Sequence, residues 1–117
     1  MQAELPSNVE ALLVAQTVDA VIFADVSGFI RLWNGAASEL FGFSAQEAIR
    51  ASLDLVIPEP LRSAHWRGYN AAIATGRTRL RGRPTLTKGL HRTGRSLYVE
   101  MSFSLIANTS GAIIGSV

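Results

Sequence analysis

The sequence contains no cysteine among its 117 residues. This absence excludes disulfide bonds, thiolate metal ligands and cysteine nucleophiles, and it fits a reducing compartment. No apolar run approaches the roughly 20 residues that a membrane-spanning helix needs. Residues 1–7 lack the basic start and the apolar centre of a secretion signal. The sequence therefore predicts a cytoplasmic protein that does not enter a membrane.

Catalytic motifs are also scarce. The two histidines, His65 and His91, have no acidic cluster near them in the sequence, and no Gly-x-x-x-x-Gly-Lys phosphate loop occurs. Two histidines without grouped carboxylates make a poor metal site. We therefore expect no enzyme activity, no catalytic residues and no metal ion bound by this chain's side chains.

Acidic residues are missing from one long stretch, because none occurs between Glu59 and Glu100. Such a basic stretch can follow the phosphates of a nucleic acid. It can also guard an exposed strand edge against aggregation, and this second interpretation is the one we favour. The sequence therefore predicts no direct nucleic-acid binding. The basic residues that cluster within residues 77–95 of this stretch are Arg77, Arg79, Arg81, Arg83, Lys88, Arg92 and Arg95.

The first half of the chain reads as a helix, a hairpin and further helices. Ser7 and Glu10 have the spacing of a capping box, so residues 1–17 are predicted to carry an amphipathic capping or dimerisation helix. Residues 19–24 and 29–33 form a predicted hairpin around a turn at Gly28. Asn34 suits a helix N-cap, and Gly42 suits the left-handed residue that ends that helix.

The second half predicts one long helix followed by strands. Residues 61–75 have helical periodicity and stop at Gly76. Residues 77–90 form a polar strand element that Pro84 interrupts, residues 97–106 alternate as one half-buried strand, and residues 112–117 form the last strand. This order predicts an α+β fold, with residues 18–117 as one domain. Because the sequence stops inside an apolar strand, we expect it to be a fragment of a longer protein.

At this point the sequence resembles the PAS family. The likeness extends over nearly the whole chain from about residue 10, and it is strong because the pieces occur in order at the expected spacings. The residues that carry it are Asp19, Ala20, Val21, Ile22, Phe23, Ala24, Asp25, Gly28, Phe29, Ile30, Trp33, Asn34, Ala36, Ala37, Leu40, Phe41, Gly42, Phe43, Glu47, Ala48, Ile49, Ala74, Thr75, Gly76, Arg92, Thr93, Gly94 and Arg95.

The resemblance implies a PAS fold: a five-stranded antiparallel sheet of order 2-1-5-4-3 with the helices on one face. It implies a sensor in signal transduction that controls an attached effector, either a transcription regulator or a histidine kinase of a two-component system. The photosensory branches of the family that use a cysteine are excluded, because the chain has none.

A small-ligand pocket is predicted between the long helix and the sheet. His65, Tyr69 and Ile73 share one face of that helix, because they lie four residues apart. Mostly apolar residues with a few polar atoms are typical of a small-molecule site. The same residues would also suit a filled core. The predicted ligand-binding residues are His65, Tyr69, Ile73, Ile30, Leu32, Asn34, Val99, Met101 and Phe103.

Two alternatives stay open. Residues 57–65 resemble the segment that leads to the proximal haem histidine of oxygen-sensing PAS kinases, which would make His65 an axial ligand. Trp66 departs from that pattern, because those sensors have Asp there. The other alternative is a ligand-free homodimerisation module, whose predicted dimer surface consists of Leu12, Leu13, Tyr98 and Ile106.

Overall fold

A computed structural model describes residues 4–117, so residues 1–3 of the predicted N-terminal segment lie outside the described part. Helices and strands follow one another in a helix–hairpin–helices–strands order that agrees with the sequence pattern. Two short 3-10 helices, Leu53–Val56 and Glu59–Leu61, precede the longest helix. The elements are α1 (Val9–Gln16), β1 (Ile22–Asp25), β2 (Ile30–Trp33), α2 (Gly35–Phe41), α3 (Ala45–Ala48), α4 (Arg62–Thr75), β3 (Thr85–Leu90), β4 (Ser96–Met101), β5 (Leu105–Ala107) and β6 (Ile113–Ser116).

The strands form two antiparallel sheets, so the predicted single five-stranded sheet is wrong in detail. One sheet has the order β2-β1-β6-β5 and the other pairs β3 with β4. The predicted continuous strand 97–106 is broken, and β4 and β5 are its two parts. Ser104 and Val117 still exchange backbone hydrogen bonds of 2.9 and 2.8 Å. Within residues 4–117, the recorded strand partner of β4 is β3.

Local capping explains where the short helices begin and end. The Asn34 side chain accepts a hydrogen bond from the Ala37 amide, and Gly42 takes a left-handed conformation at the end of α2. Ser44 and Glu47 form a complete capping box at α3. The Asn34 cap and the Gly42 helix end were predicted from the sequence. The capping box predicted at Ser7 is wrong, because α1 begins after Asn8 without a side-chain cap.

The main core lies where β2 meets α2 and α3. Ile30, Trp33, Ala37, Phe41 and Ala48 are buried together there. The indole N–H of Trp33 donates to Ser38 Oγ at 2.9 Å and to the Phe43 carbonyl at 3.2 Å. Because its one polar atom is satisfied, a large aromatic ring can be buried without a desolvation penalty.

The helices are too short or too polar for a bilayer. None of those described within residues 4–117 has the length and apolar character that crossing a membrane requires. α1 buries none of its side chains fully.

Candidate functional site

Tyr69 fixes α4 to the sheet. Its side chain is only 3% exposed, and its hydroxyl donates a hydrogen bond to the Asp25 carbonyl at 2.6 Å. The same hydroxyl accepts one from Ser116 Oγ at 3.1 Å. Burial raises the pKa of the Tyr69 phenol, and the hydrogen bond from Ser116 opposes this rise. One oxygen atom thus joins the middle of α4 to the end of β1 and to β6.

Trp66 covers the turn between β1 and β2. Gly28 has a φ of +83°, and a Cβ added there would overlap the six-membered ring of Trp66. The indole N–H donates to Asp54 Oδ1 at 2.8 Å. Asp54 lies in the first 3-10 helix, so the indole bridges the hairpin turn and the segment that leads into α4. Glycine is required at position 28 both for the turn and for this close approach.

His65 lies beside the two other aromatic residues of α4. Its ring centroid is 4.6 Å from that of Trp66 and 5.6 Å from that of Tyr69. Its Nδ1 atom is buried and has no hydrogen-bond partner among the described residues. Burial lowers the pKa of the imidazole, and the nearby Asp54 charge opposes this shift. The geometry therefore favours a neutral ring with an unused polar atom inside the domain.

Phe103 completes what we call the α4 aromatic cluster, which consists of His65, Trp66, Tyr69 and Phe103. The Phe103 ring meets Tyr69 edge to face, with 5.9 Å between their centroids. Phe103 follows β4, at the break that separates β4 from β5. Three of the predicted ligand-binding residues, His65, Tyr69 and Phe103, thus come together. Ile73, Leu32 and Val99 are half-buried.

Other predicted pocket residues have different roles. Asn34 uses both ends of its amide for backbone contacts: Oδ1 accepts from Val21 and Ala37, and Nδ2 donates to the Val14 and Asp19 carbonyls. Ile30 is fully buried in the main core. Met101 is 44% exposed, so the alternation that predicted an inward side chain is not followed at the end of β4.

A haem does not fit this packing. An axial histidine must present a ring nitrogen to open space large enough for a flat macrocycle. Here Trp66 contacts Gly28, and Tyr69 is bonded to Asp25 and Ser116, so both rings occupy the space between α4 and the hairpin. Among residues 4–117, no three His, Asp or Glu side chains group as metal ligands.

Sequence reasoning missed three contributors to the site: Gly28, Asp54 and Ser116. Gly28 was assigned to a turn, and nothing in the sequence shows that an indole approaches it. Asp54 interrupts an apolar stretch, which is the one sequence signal that pointed to a polar role. Ser116 is buried to 3% exposure in the last strand, and its contact with Tyr69 spans 47 residues, beyond the reach of local patterns.

The family model described as the PAS fold matches residues 9–117. The chain belongs to the PAS family. This PAS domain is similar to the sensor protein FixL of Bradyrhizobium diazoefficiens, with 33% identity over 84 residues that cover 72% of this chain. The match covers only 17% of FixL.

Solved structures share the fold of this PAS domain. A PAS domain from Colwellia psychrerythraea has a TM-score of 0.79 at 19% identity, and the match covers 93% of this chain and 89% of that one. The VqmA dimer of Vibrio cholerae, described as a LuxR-type receptor, has a TM-score of 0.73 at 16% identity over 95% of this chain and 50% of that one. At these identities the likeness establishes the architecture and leaves the ligand to be argued from the site.

Proposed function

We propose that this PAS domain is a sensory input unit that binds a small organic molecule against the α4 aromatic cluster. The observation that carries the proposal is the buried Nδ1 of His65, which lacks a partner among the described residues. Leaving a buried polar atom unpaired costs about 1–3 kcal/mol. A ligand that supplies the missing hydrogen bond would recover part of that free energy.

The surroundings define the class of ligand. The cluster presents three aromatic rings besides the imidazole, and burial lowers the pKa of His65. Such a surface favours an uncharged molecule with an apolar or aromatic body and one hydrogen-bonding group.

We also propose that the signal passes to an effector in the same polypeptide, either a transcription regulator or a histidine kinase. FixL is a sensor protein and VqmA is a LuxR-type receptor, and both are longer than this domain. Tyr69 offers a path for the signal, because its hydroxyl touches Asp25 and Ser116 at once. The proposal assigns no catalytic step to the domain.

The test is native mass spectrometry of the purified protein, followed by thermal-shift measurements with indole and phenol as probes. We expect a co-purified molecule, or a rise in melting temperature with one probe, that His65→Leu removes. The matched control is His91→Leu, because His91 lies in the turn between β3 and β4 and not on α4. The proposal would be refuted if the probes stabilised His65→Leu as much as the parent protein. It would also be refuted if no probe stabilised the parent protein and an ordered water were hydrogen-bonded to Nδ1 of His65.

Haem is the alternative ligand for His65, and it has a separate readout. We expect protein mixed with haemin to show no Soret shift, since Trp66 and Tyr69 occupy the required space. A Soret band that appears on reconstitution and disappears in His65→Ala would contradict this and would establish the haem sensor instead.

A ligand-free dimerisation role is the second candidate, because large apolar side chains are exposed. Leu13 on α1 is 64% exposed and Tyr98 on β4 is 68% exposed. Leu12 is 37% exposed, whereas Ile106 is half-buried. Exposed apolar residues of this size are typical of surfaces that associate. Dimerisation through these residues is compatible with ligand sensing in the same domain.

A further inference from the structure

The loop between α4 and β3 carries arginines without carboxylate partners. Arg77, Arg79 and Arg81 are all exposed. Among residues 4–117, the ion pairs link Arg31 to Asp25, Arg62 to Asp54 and Arg92 to Glu47. The loop arginines therefore remain free to contact another molecule.

The loop ends in a tight turn that is closed between Leu80 and Arg83. The Arg83 amide donates to the Leu80 carbonyl at 3.0 Å, and the Arg83 side chain donates to the same oxygen at 3.2 Å. Arg81 and Gly82 both have positive φ, of 51° and 77°. Positive φ at both central positions is the geometry of a type I′ turn, which suits Asn or Gly better than Arg. Arg81 thus keeps a backbone conformation that is unfavourable for arginine, at the exposed turn of the loop.

We call Arg79, Leu80 and Arg81 the arginine tip. Leu80 is 37% exposed although it is apolar, and a cation stands on each side of it. A side chain of this kind between two positive charges suits a partner surface that is apolar in the middle and acidic at its rim.

The chain itself contains a shallow surface of mixed apolar and polar residues, with one carboxylate, beside α1 and α2. Two neighbouring cavities of about 310 and 300 Å³ share Val18, Ala36 and Glu39 as lining residues, so they form one groove. Glu39 contributes a negative charge, and Asp19 directly follows Val18. We call this surface the α1–α2 groove. Its lining residues are Ala15, Gln16, Thr17, Val18, Ala20, Gly35, Ala36, Glu39 and Leu40.

The distribution of charge favours a second copy of the chain as the partner. Residues 4–59 contain eight of the nine acidic residues and only two of the eleven basic ones, whereas the rest of the chain is strongly basic. Two copies therefore present opposite charges to each other at the tip and the groove.

We propose that the arginine tip of one copy docks into the α1–α2 groove of a second copy. Leu80 then packs against the apolar lining residues Val18, Ala36 and Leu40, and Arg79 and Arg81 approach Glu39 and Asp19. The contact goes beyond the sensing role and does not rest on it. It is also distinct from the dimer surface of Leu12, Leu13, Tyr98 and Ile106. Two reciprocal contacts give a closed dimer, and a single contact repeated from copy to copy gives an open chain.

Sedimentation equilibrium over a range of protein concentrations tests the contact. We expect the association constant to fall at least about tenfold between 50 and 500 mM NaCl, because exposed ion pairs are screened by salt. The double variant Arg79→Glu/Arg81→Glu should lose the salt-dependent part of the association, as should Glu39→Arg. Matched controls are Arg67→Glu/Arg95→Glu and Glu59→Arg, which change the same charges at exposed positions outside the tip and the groove.

Mixing the two defective variants gives the decisive result. Arg79→Glu/Arg81→Glu protein and Glu39→Arg protein should associate with each other, because the unchanged tip of the second variant still fits the unchanged groove of the first. The two reversed surfaces also carry opposite charges. Association that none of these charge reversals changes, or a mixture that stays monomeric, would overturn the proposal. The proposal would also be overturned if the parent protein did not self-associate but bound a fluorescent oligonucleotide through Arg79 and Arg81. The arginine tip would then be a nucleic-acid site.

Discussion

The two histidines have opposite hydrogen-bonding situations. Nδ1 of His65 is buried without a partner, whereas Nδ1 of His91 accepts a hydrogen bond from the Thr93 amide at 3.1 Å. A ring atom that is desolvated and unpaired lowers stability, and such a deficit is common where a residue serves a ligand.

Substituting each histidine by leucine should therefore have opposite effects. We expect His65→Leu to raise the free energy of unfolding of ligand-free protein by about 1 kcal/mol, because the unpaired atom disappears. His91→Leu should lower it by a similar amount of about 1 kcal/mol, because the turn loses an acceptor. Urea denaturation followed by fluorescence measures both. A decrease in both variants would mean that His65 is a satisfied core residue.

His65 also predicts how stability depends on pH. Burial lowers its pKa in the folded state below the ordinary value of 6.5. The unfolded chain then binds the proton more readily, so stability is present above the unfolded pKa and is lost as the pH falls through this range. We expect the melting temperature to drop between pH 7.5 and about 5.5, and the drop to be smaller in His65→Leu. Equal slopes in both proteins would contradict this assignment.

Alanine substitutions at Gly28 and Gly94 distinguish the stability cost of backbone strain from the cost of side-chain overlap. Both have a positive φ, of 83° and 90°, but a Cβ at Gly28 would overlap Trp66 while one at Gly94 would meet nothing within 4 Å. We expect Gly94→Ala to lower the free energy of unfolding by about 1 kcal/mol from the backbone alone. Gly28→Ala should cost about 3 kcal/mol, since the indole must also move. Equal losses in urea denaturation would show that Trp66 does not rest on the turn.

At the scale of elements, the break between β4 and β5 is the main departure from the expected architecture. The pairing of β5 with β6 continues to Ser104 and Val117 and does not reach β4. We expect the amides of Ser102 and Phe103 to exchange hydrogen for deuterium faster than the amide of Ser104, which donates to Val117 at 2.9 Å. Nuclear magnetic resonance resolves these amides individually, and equal protection would mean that β4 and β5 form one strand in solution.

Features that depend on residues close in sequence were predictable, and features that depend on distant residues were not. The caps at Asn34, Gly42 and Ser44 were predictable, because each depends on residues within one helical turn. The break near Ser102 was not predictable, because it depends on register with a distant strand. For the same reason the sequence placed His65 and Tyr69 on one face of α4 but could not reveal Ser116 beneath them.

At the scale of the whole molecule, two exposed apolar surfaces remain, one on α1 and one on the β3–β4 sheet. Leu13 is 64% exposed, and Tyr98 and Leu86 are 68% and 70% exposed. We expect Leu13→Arg and Tyr98→Arg to shift the domain toward monomer in light-scattering measurements, because each adds a charge to an apolar interface. Thr109→Arg, in an exposed turn, is the control. A parent protein that is monomeric at all concentrations would rule out the dimerisation role.

The hydroxyl of Tyr69 has a mechanical consequence. It lies at a junction of three segments, with the Asp25 carbonyl at 2.6 Å and Ser116 Oγ at 3.1 Å. Any displacement of α4 that keeps these bonds must pull the β1 end and β6 in step with the helix. A displacement that breaks these hydrogen bonds lets α4 move without moving β1 and β6. Tyr69→Phe removes the hydroxyl and both of its hydrogen bonds. The variant would keep α4 packed in the fold, but a movement of α4 would no longer be transmitted to β1 and β6.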